Sequence, residues 1–172
     1  MPIDFQTFIH PHQEFRSYTD TLSDSEFFEG SEKWNAAEVY AHMIRSIRPV
    51  YLACRLPSPI LQLFFGRANR PSRTSEQVIE KYQKVLAAGG VSSAQFLPPS
   101  RHGLDKRQKY EAVFQKLTTQ MAQKTARISE DKLDHCILPH PLLGKLTLRE
   151  MIYFSIHHMQ HHLEHLQAQK KI

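Results

Sequence analysis

Residues Ser155–Leu166 read SIHHMQHHLEHL, five histidines in twelve positions near the end of the chain. Ile156, Met159, Leu163 and Leu166 are interleaved with them, so the histidines belong to an amphipathic helix and not to a bare polyhistidine run. Neutral imidazoles bind divalent metals, and residues four apart on a helix are neighbours on one face. His158 with His162, or His161 with His165, could therefore aim two ring nitrogens at one point. Setting Leu148 at zero and stepping 100° per residue, Leu148, Ile152, Met159, Leu163 and Leu166 fall within about 60° of the origin. His158 at about 280° and His162 at about 320° share a border of that stripe with Met151. His157 and His161, at about 180° and 220°, are expected to point to solvent, with His165 intermediate. Geometry favours the His158/His162 pair. Two histidines rarely complete a catalytic site, so a third ligand is expected from another helix. His42 is the only histidine inside the second helix and lies at an edge of its apolar face. His10, His12, His102, His135 and His140 fall near loops or helix starts and read as surface or packing residues.

The elements that must position these residues read as helices joined by loops. No stretch alternates apolar and polar residues long enough to support a strand. A first helix is expected over much of His10–Thr21, with Pro11 in its first turn. LSDSEFFEGSEK reads as a polar connection. The second helix starts at Asn35 as N-cap with Glu38 three residues on, so that each side chain satisfies a free backbone N–H. Ala36, Val39, Tyr40, Met43, Ile47, Val50, Tyr51 and Cys54 then repeat at helical spacing until Pro57 and Pro59. Ser58–Ser100 reads as a long crossover containing the apolar stretch PILQLFFG and a short helix, TSEQVIEKYQKVLAAGG. PILQLFFG reads first as a lid on its own bundle and, as a functional alternative, as a homodimer contact. A third helix is expected from about Leu104 to Ile128, and a fourth opens at TLRE with Thr147 and Glu150 as a capping pair. The fold class expected is all-α: a four-helix bundle in up-down-down-up order, with a long, partly helical crossover between helices 2 and 3.

Composition narrows the function classes. A chain of 172 residues fits one domain, 1–172. No apolar run approaches the roughly 20 residues that span a membrane, and the N-terminus lacks the pattern of a signal peptide. Cys54 and Cys136 stand far apart in no motif, which suits a reducing cytoplasm. The net charge is +5, yet the basic residues are scattered with no aromatic platform between them, so no nucleic-acid partner is expected. An anionic small-molecule substrate is the more economical use of the charge. Arg45 and Arg48 could hold a carboxylate, although solvated arginines are the simpler reading.

Two stretches, KWNAAEVYAHM and HPLLGKLTLREMIYFSIHHMQHHLEHLQ, resemble the DinB/YfiT-like superfamily of metal-dependent enzymes. The first is similar to the family's tryptophan, helix cap and following histidine; the second to its His-Pro-x-x-Gly loop, capped helix and H-x-x-H-H ending. The resemblance implies the same bundle and a metal held by one histidine of the second helix and two of the last: His42, His158 and His162. Zinc or nickel is expected, with manganese open, since histidine ligation does not choose among them. A neutral ligand set leaves the cation's charge available to water or to a thiol. The family's chemistry accordingly implies a hydrolase, or an S-transferase using a low-molecular-weight thiol cofactor. The reading from a different class is a non-catalytic helical binding protein that retains the histidines. No general base is assignable: Glu38 is explained by capping and Glu164 by its polar face.

Overall fold

The computed structural model describes residues 3–29, 33–98 and 106–169. Four long helices carry the fold: α1 (Phe5–Asp20), α3 (Ala36–Arg55), α6 (Arg107–Thr125) and α8 (Leu148–Gln169). Between and around them lie α2 (Asp24–Phe28), α4 (Ser58–Phe65), α5 (Ser75–Ala87), a 3-10 turn at Ala94–Phe96, and α7 (Glu130–His135). A two-stranded antiparallel hairpin, β1 (Ile137–His140) and β2 (Gly144–Thr147), completes the described residues. Among the described residues no helix is long and apolar enough to cross a membrane.

Packing follows from the apolar stripes. The long helices α1 and α3 each pack against α6 and α8. Tyr40 of α3 meets Phe15 of α1 at 4.8 Å and Phe114 of α6 at 5.1 Å, all three rings buried. Arg107 at the start of α6 donates to the Thr19 carbonyl near the end of α1. Tyr18, also near that end, donates to the Leu166 carbonyl late in α8. These contacts set the end of α1 beside the start of α6 and the late part of α8.

Several elements differ from the sequence expectation. The first helix begins five residues earlier, at Phe5, because the Asp4 side chain accepts the Thr7 N–H at 2.7 Å and caps it. Pro11 therefore sits inside the helix, not in its first turn. It is buried along with Phe8, Ile9 and Phe15, so core packing outweighs the hydrogen bond it cannot donate. The connection after α1 contains α2, closed by a Ser23–Glu26 capping box around the buried Phe27. The hairpin is a further correction. Its strands of four residues are too short for alternation to show, and register comes from pairs such as Leu138 with Leu146. The third helix ends at Thr125; the expected start at Leu104, like His102, lies outside the described residues.

Of the two roles expected for His12, surface or packing, the structure shows packing: the ring is buried in the core. Its Nδ1 donates to the Phe8 carbonyl at 2.8 Å, its Nε2 has no partner, and its ring stacks on Phe8. Burial pushes its pKa down to about 4. A folded pKa below the unfolded value of about 6.5 gives stability that is complete above pH 6.5 and is lost as pH falls toward 4. At about 1.4 kcal/mol per pH unit, the loss over that window is roughly 3 kcal/mol. Urea unfolding of wild type and His12→Phe at pH 7 and pH 4.5 should show the variant losing less stability on acidification. Equal losses would mean the ring is not held neutral.

Candidate metal centre

The N-terminus of α3 is fixed by its cap. Asn35 Oδ1 accepts the Glu38 N–H and Glu38 Oε2 accepts the Asn35 N–H, both at 2.9 Å. Two turns into the helix, His42 is buried and faces α8. Its Nε2 lies 3.1 Å from His158 Nε2, and His158 Nε2 lies 3.0 Å from His162 Nε2. All three ligand nitrogens fall within 4.8 Å of one another. The residues expected from spacing and resemblance are thus brought together.

The donor set fits a cation. His42 Nδ1 sits 2.8 Å from the Phe96 carbonyl, which can only accept, so the proton is on Nδ1 and Nε2 offers a lone pair. A proton on His158 Nε2 could satisfy only one of its two neighbours, leaving converging lone pairs that a positive ion would reconcile. Nitrogens bound at about 2.1 Å and separated by roughly 90–110° lie about 3.0–3.4 Å apart, which matches the two short separations. Burial holds all three imidazoles below the usual histidine pKa, His158 and His162 well below it. Neutral rings at pH 7 are what ligation requires.

Aromatic packing orients the cluster. Trp34 stacks on His162 at an interplanar angle of 14°, and Phe154 stacks on His158 at 26°. The carbonyl of Phe96 and the ring of Tyr82 come from the crossover, and neither carried a sequence signal of a role at the site. Val78 and Tyr82, four apart and buried on α5, show only that this helix has an inner face.

The expectation that His157 and His161 point to solvent is corrected. Both are half-buried, because α5 packs on α8 and sets Tyr82 6.1 Å from His157 and 5.7 Å from His161. Burial lowers the pKa of His157 and takes that of His161 to about 4. His165 is exposed, its ring 4.1 Å from that of His161. Among the remaining histidines, His10 and His135 stay partly exposed beside Glu14 and Asp131, whereas His140 is buried.

A cavity of about 1120 Å3 adjoins the cluster, walled by side chains such as Met43, Ile47, Leu61, Tyr82, Leu138 and Phe154. Arg45 and Arg48 are exposed and line it; Arg45 donates to the Leu97 carbonyl. Among the described residues lining it there is no aspartate, glutamate or cysteine. Cys54 is buried elsewhere, and burial pushes its thiol up to about 12.

A family model of the DinB superfamily matches residues 9–166, nearly the whole chain. The chain belongs to the DinB superfamily. No curated protein and no solved structure matches it. As a DinB-superfamily chain it has, in His42, His158 and His162, three histidines that could hold a metal ion.

Proposed function

We propose that this DinB-superfamily chain is a metal-dependent enzyme that holds zinc or nickel, or else manganese, through His42, His158 and His162. Its reaction is S-transfer from a low-molecular-weight thiol to a small substrate, or hydrolysis of such a substrate. The observation that carries the proposal is the convergence of three buried Nε2 atoms beside a large, mainly apolar cavity. A bound divalent cation on a neutral ligand set would supply Lewis acidity and stabilise a thiolate at neutral pH. The chain's own residues do the rest. Phe96 and Trp34 hold the imidazoles in place, the apolar walls exclude water, and the rim arginines attract anions. The absence of a carboxylate base or cysteine among the described lining residues favours an external thiol over hydrolysis.

Turnover should be sought with zinc-, nickel- and manganese-loaded protein against a thiol-conjugation panel and an ester panel. Activity in the thiol panel that disappears in His158→Ala is expected. Inactivity on both panels together with tight binding of a protein partner would instead favour the non-catalytic reading.

A cytoplasmic homodimer is part of the proposal. On α4, Leu61 is fully buried and serves the lid, but Leu63 and Phe64 are 81% and 72% exposed. Light scattering at micromolar concentration should show a dimer that Leu63→Glu dissociates; a wild-type monomer would dispose of this contact.

A further inference from the structure

The hairpin brings a fourth buried histidine to the cavity. His140 ends β1, and its Nδ1 accepts the backbone N–H groups of Leu142 and Leu143, each at 3.1 Å. Backbone amides only donate, so Nδ1 carries the lone pair and the neutral ring bears its proton on Nε2. The turn therefore fixes the tautomer. Among the described residues, Nε2 has no hydrogen-bond partner. The buried side-chain atoms among the described residues that are sealed from solvent without a partner are His12 Nε2 and Ser93 Oγ, so His140 Nε2 is not one of the sealed atoms. His140 lines the cavity. Its ring meets the ring of Phe154 at 4.3 Å, and Phe154 in turn stacks on His158, which sets His140 one ring away from the converging nitrogens.

An N–H donor at the wall of a mainly apolar cavity is costly to desolvate unless whatever fills the cavity accepts from it. Positive charge gathers nearby. Lys81 donates to the Leu143 carbonyl on the same turn at 2.6 Å, Arg45 and Arg48 line the cavity, and no carboxylate side chain among the described lining residues opposes them.

We infer that His140 is a ligand-binding residue whose Nε2–H donates to a carboxylate on a molecule with an apolar body that fills the cavity. The inference rests on the cavity being the substrate site proposed above, but not on the metal. His140→Asn separates the two jobs of this side chain. Asparagine Oδ1 stands where Nδ1 does, one atom beyond Cγ, and readily accepts N–H groups two and three residues on. The variant keeps the turn and loses the donor.

Decanoate serves as the probe, with decyltrimethylammonium as its cationic counterpart. Each is titrated calorimetrically into the full chain, both zinc-loaded and stripped by chelator. Wild type should bind decanoate more tightly than the ammonium probe in both states. His140→Asn should weaken decanoate binding about tenfold in both, with melting temperature and zinc content unchanged. Long-range 1H–15N correlation on wild type should show a protonated Nε2 and a bare Nδ1 at His140, the Nε2 signal moving when decanoate is added. Undiminished decanoate binding by the variant, no binding by wild type, or a proton on Nδ1 would each overturn the inference. Failure to take up zinc would sink the metal proposal alone, because the stripped-protein titration still judges His140.

Discussion

Substituting His158 by alanine is expected to strip the chain of metal, lowering affinity by at least about 100-fold. His158 Nε2 is the middle atom of the cluster, 3.1 Å from His42 and 3.0 Å from His162. Without it the two remaining nitrogens come from different helices and share no partner that fixes their distance. His42→Ala and His162→Ala should act in the same direction, since a two-histidine site has too few ligands to hold a divalent ion against water. His157→Ala should leave the metal in place. Its side chain is turned toward Tyr82, and residues one apart on a helix differ by about 100° and cannot both reach one ion. Elemental analysis of the single variants, dialysed against zinc, decides. Metal retained by His158→Ala, or lost from His157→Ala or His161→Ala, would mean that the helix presents a different set of nitrogens.

The bundle and the histidine cluster were largely legible in the sequence, and for a physical reason. Long helices repeat their apolar residues many times, and caps such as Asn35–Glu38 and Thr147–Glu150 mark their starts with reciprocal hydrogen bonds. His158 and His162 stand four apart on one such helix, so their meeting is a local consequence of helical geometry. What was not legible depends on contacts distant in sequence. The solvent-facing assignment of His157 and His161 treated α8 as a surface helix with one buried side. In fact Glu150, Met151, Ile152, Tyr153 and Phe154, five consecutive residues that together circle the helix, are all buried, because α5 and the hairpin cover what α1 and α3 do not. The same crossover supplies the Phe96 carbonyl, a backbone group that no side-chain pattern reveals. Arg70 and Arg73 illustrate the point from the other direction. In GRANRPSR they resemble ordinary surface charge, yet both are turned inward onto Glu150.

That buried carboxylate carries the largest stability effect expected of any single residue. Glu150 is fully buried, and its oxygens accept from Arg70 at 2.5 and 2.8 Å, from the Arg73 N–H at 2.6 Å and from the Thr147 N–H at 2.9 Å. Burial alone would raise its pKa, but the hydrogen bonds from Arg70, Arg73 and Thr147 outweigh it and hold the group below the ordinary glutamate value. The stability it contributes is therefore present above about pH 4.5 and is lost as pH falls through the depressed folded value. Alanine at this position would strand two guanidinium groups and two backbone donors at once. Both arginines are about one-third exposed, so water recovers part of the loss. The expected cost sits at the low end of that for a broken buried pair, about 3 kcal/mol. For a chain of this size that corresponds to a melting temperature lower by roughly 6–12 °C. Glu150→Gln, which keeps an acceptor and the shape, should lose less. Because Arg70 and Arg73 tie the crossover to α8, hydrogen exchange in Glu150→Ala should quicken first over 68–90, the segment that holds Tyr82 against the histidines. Calorimetry showing a drop under about 2 °C would refute the anchoring role assigned to Glu150.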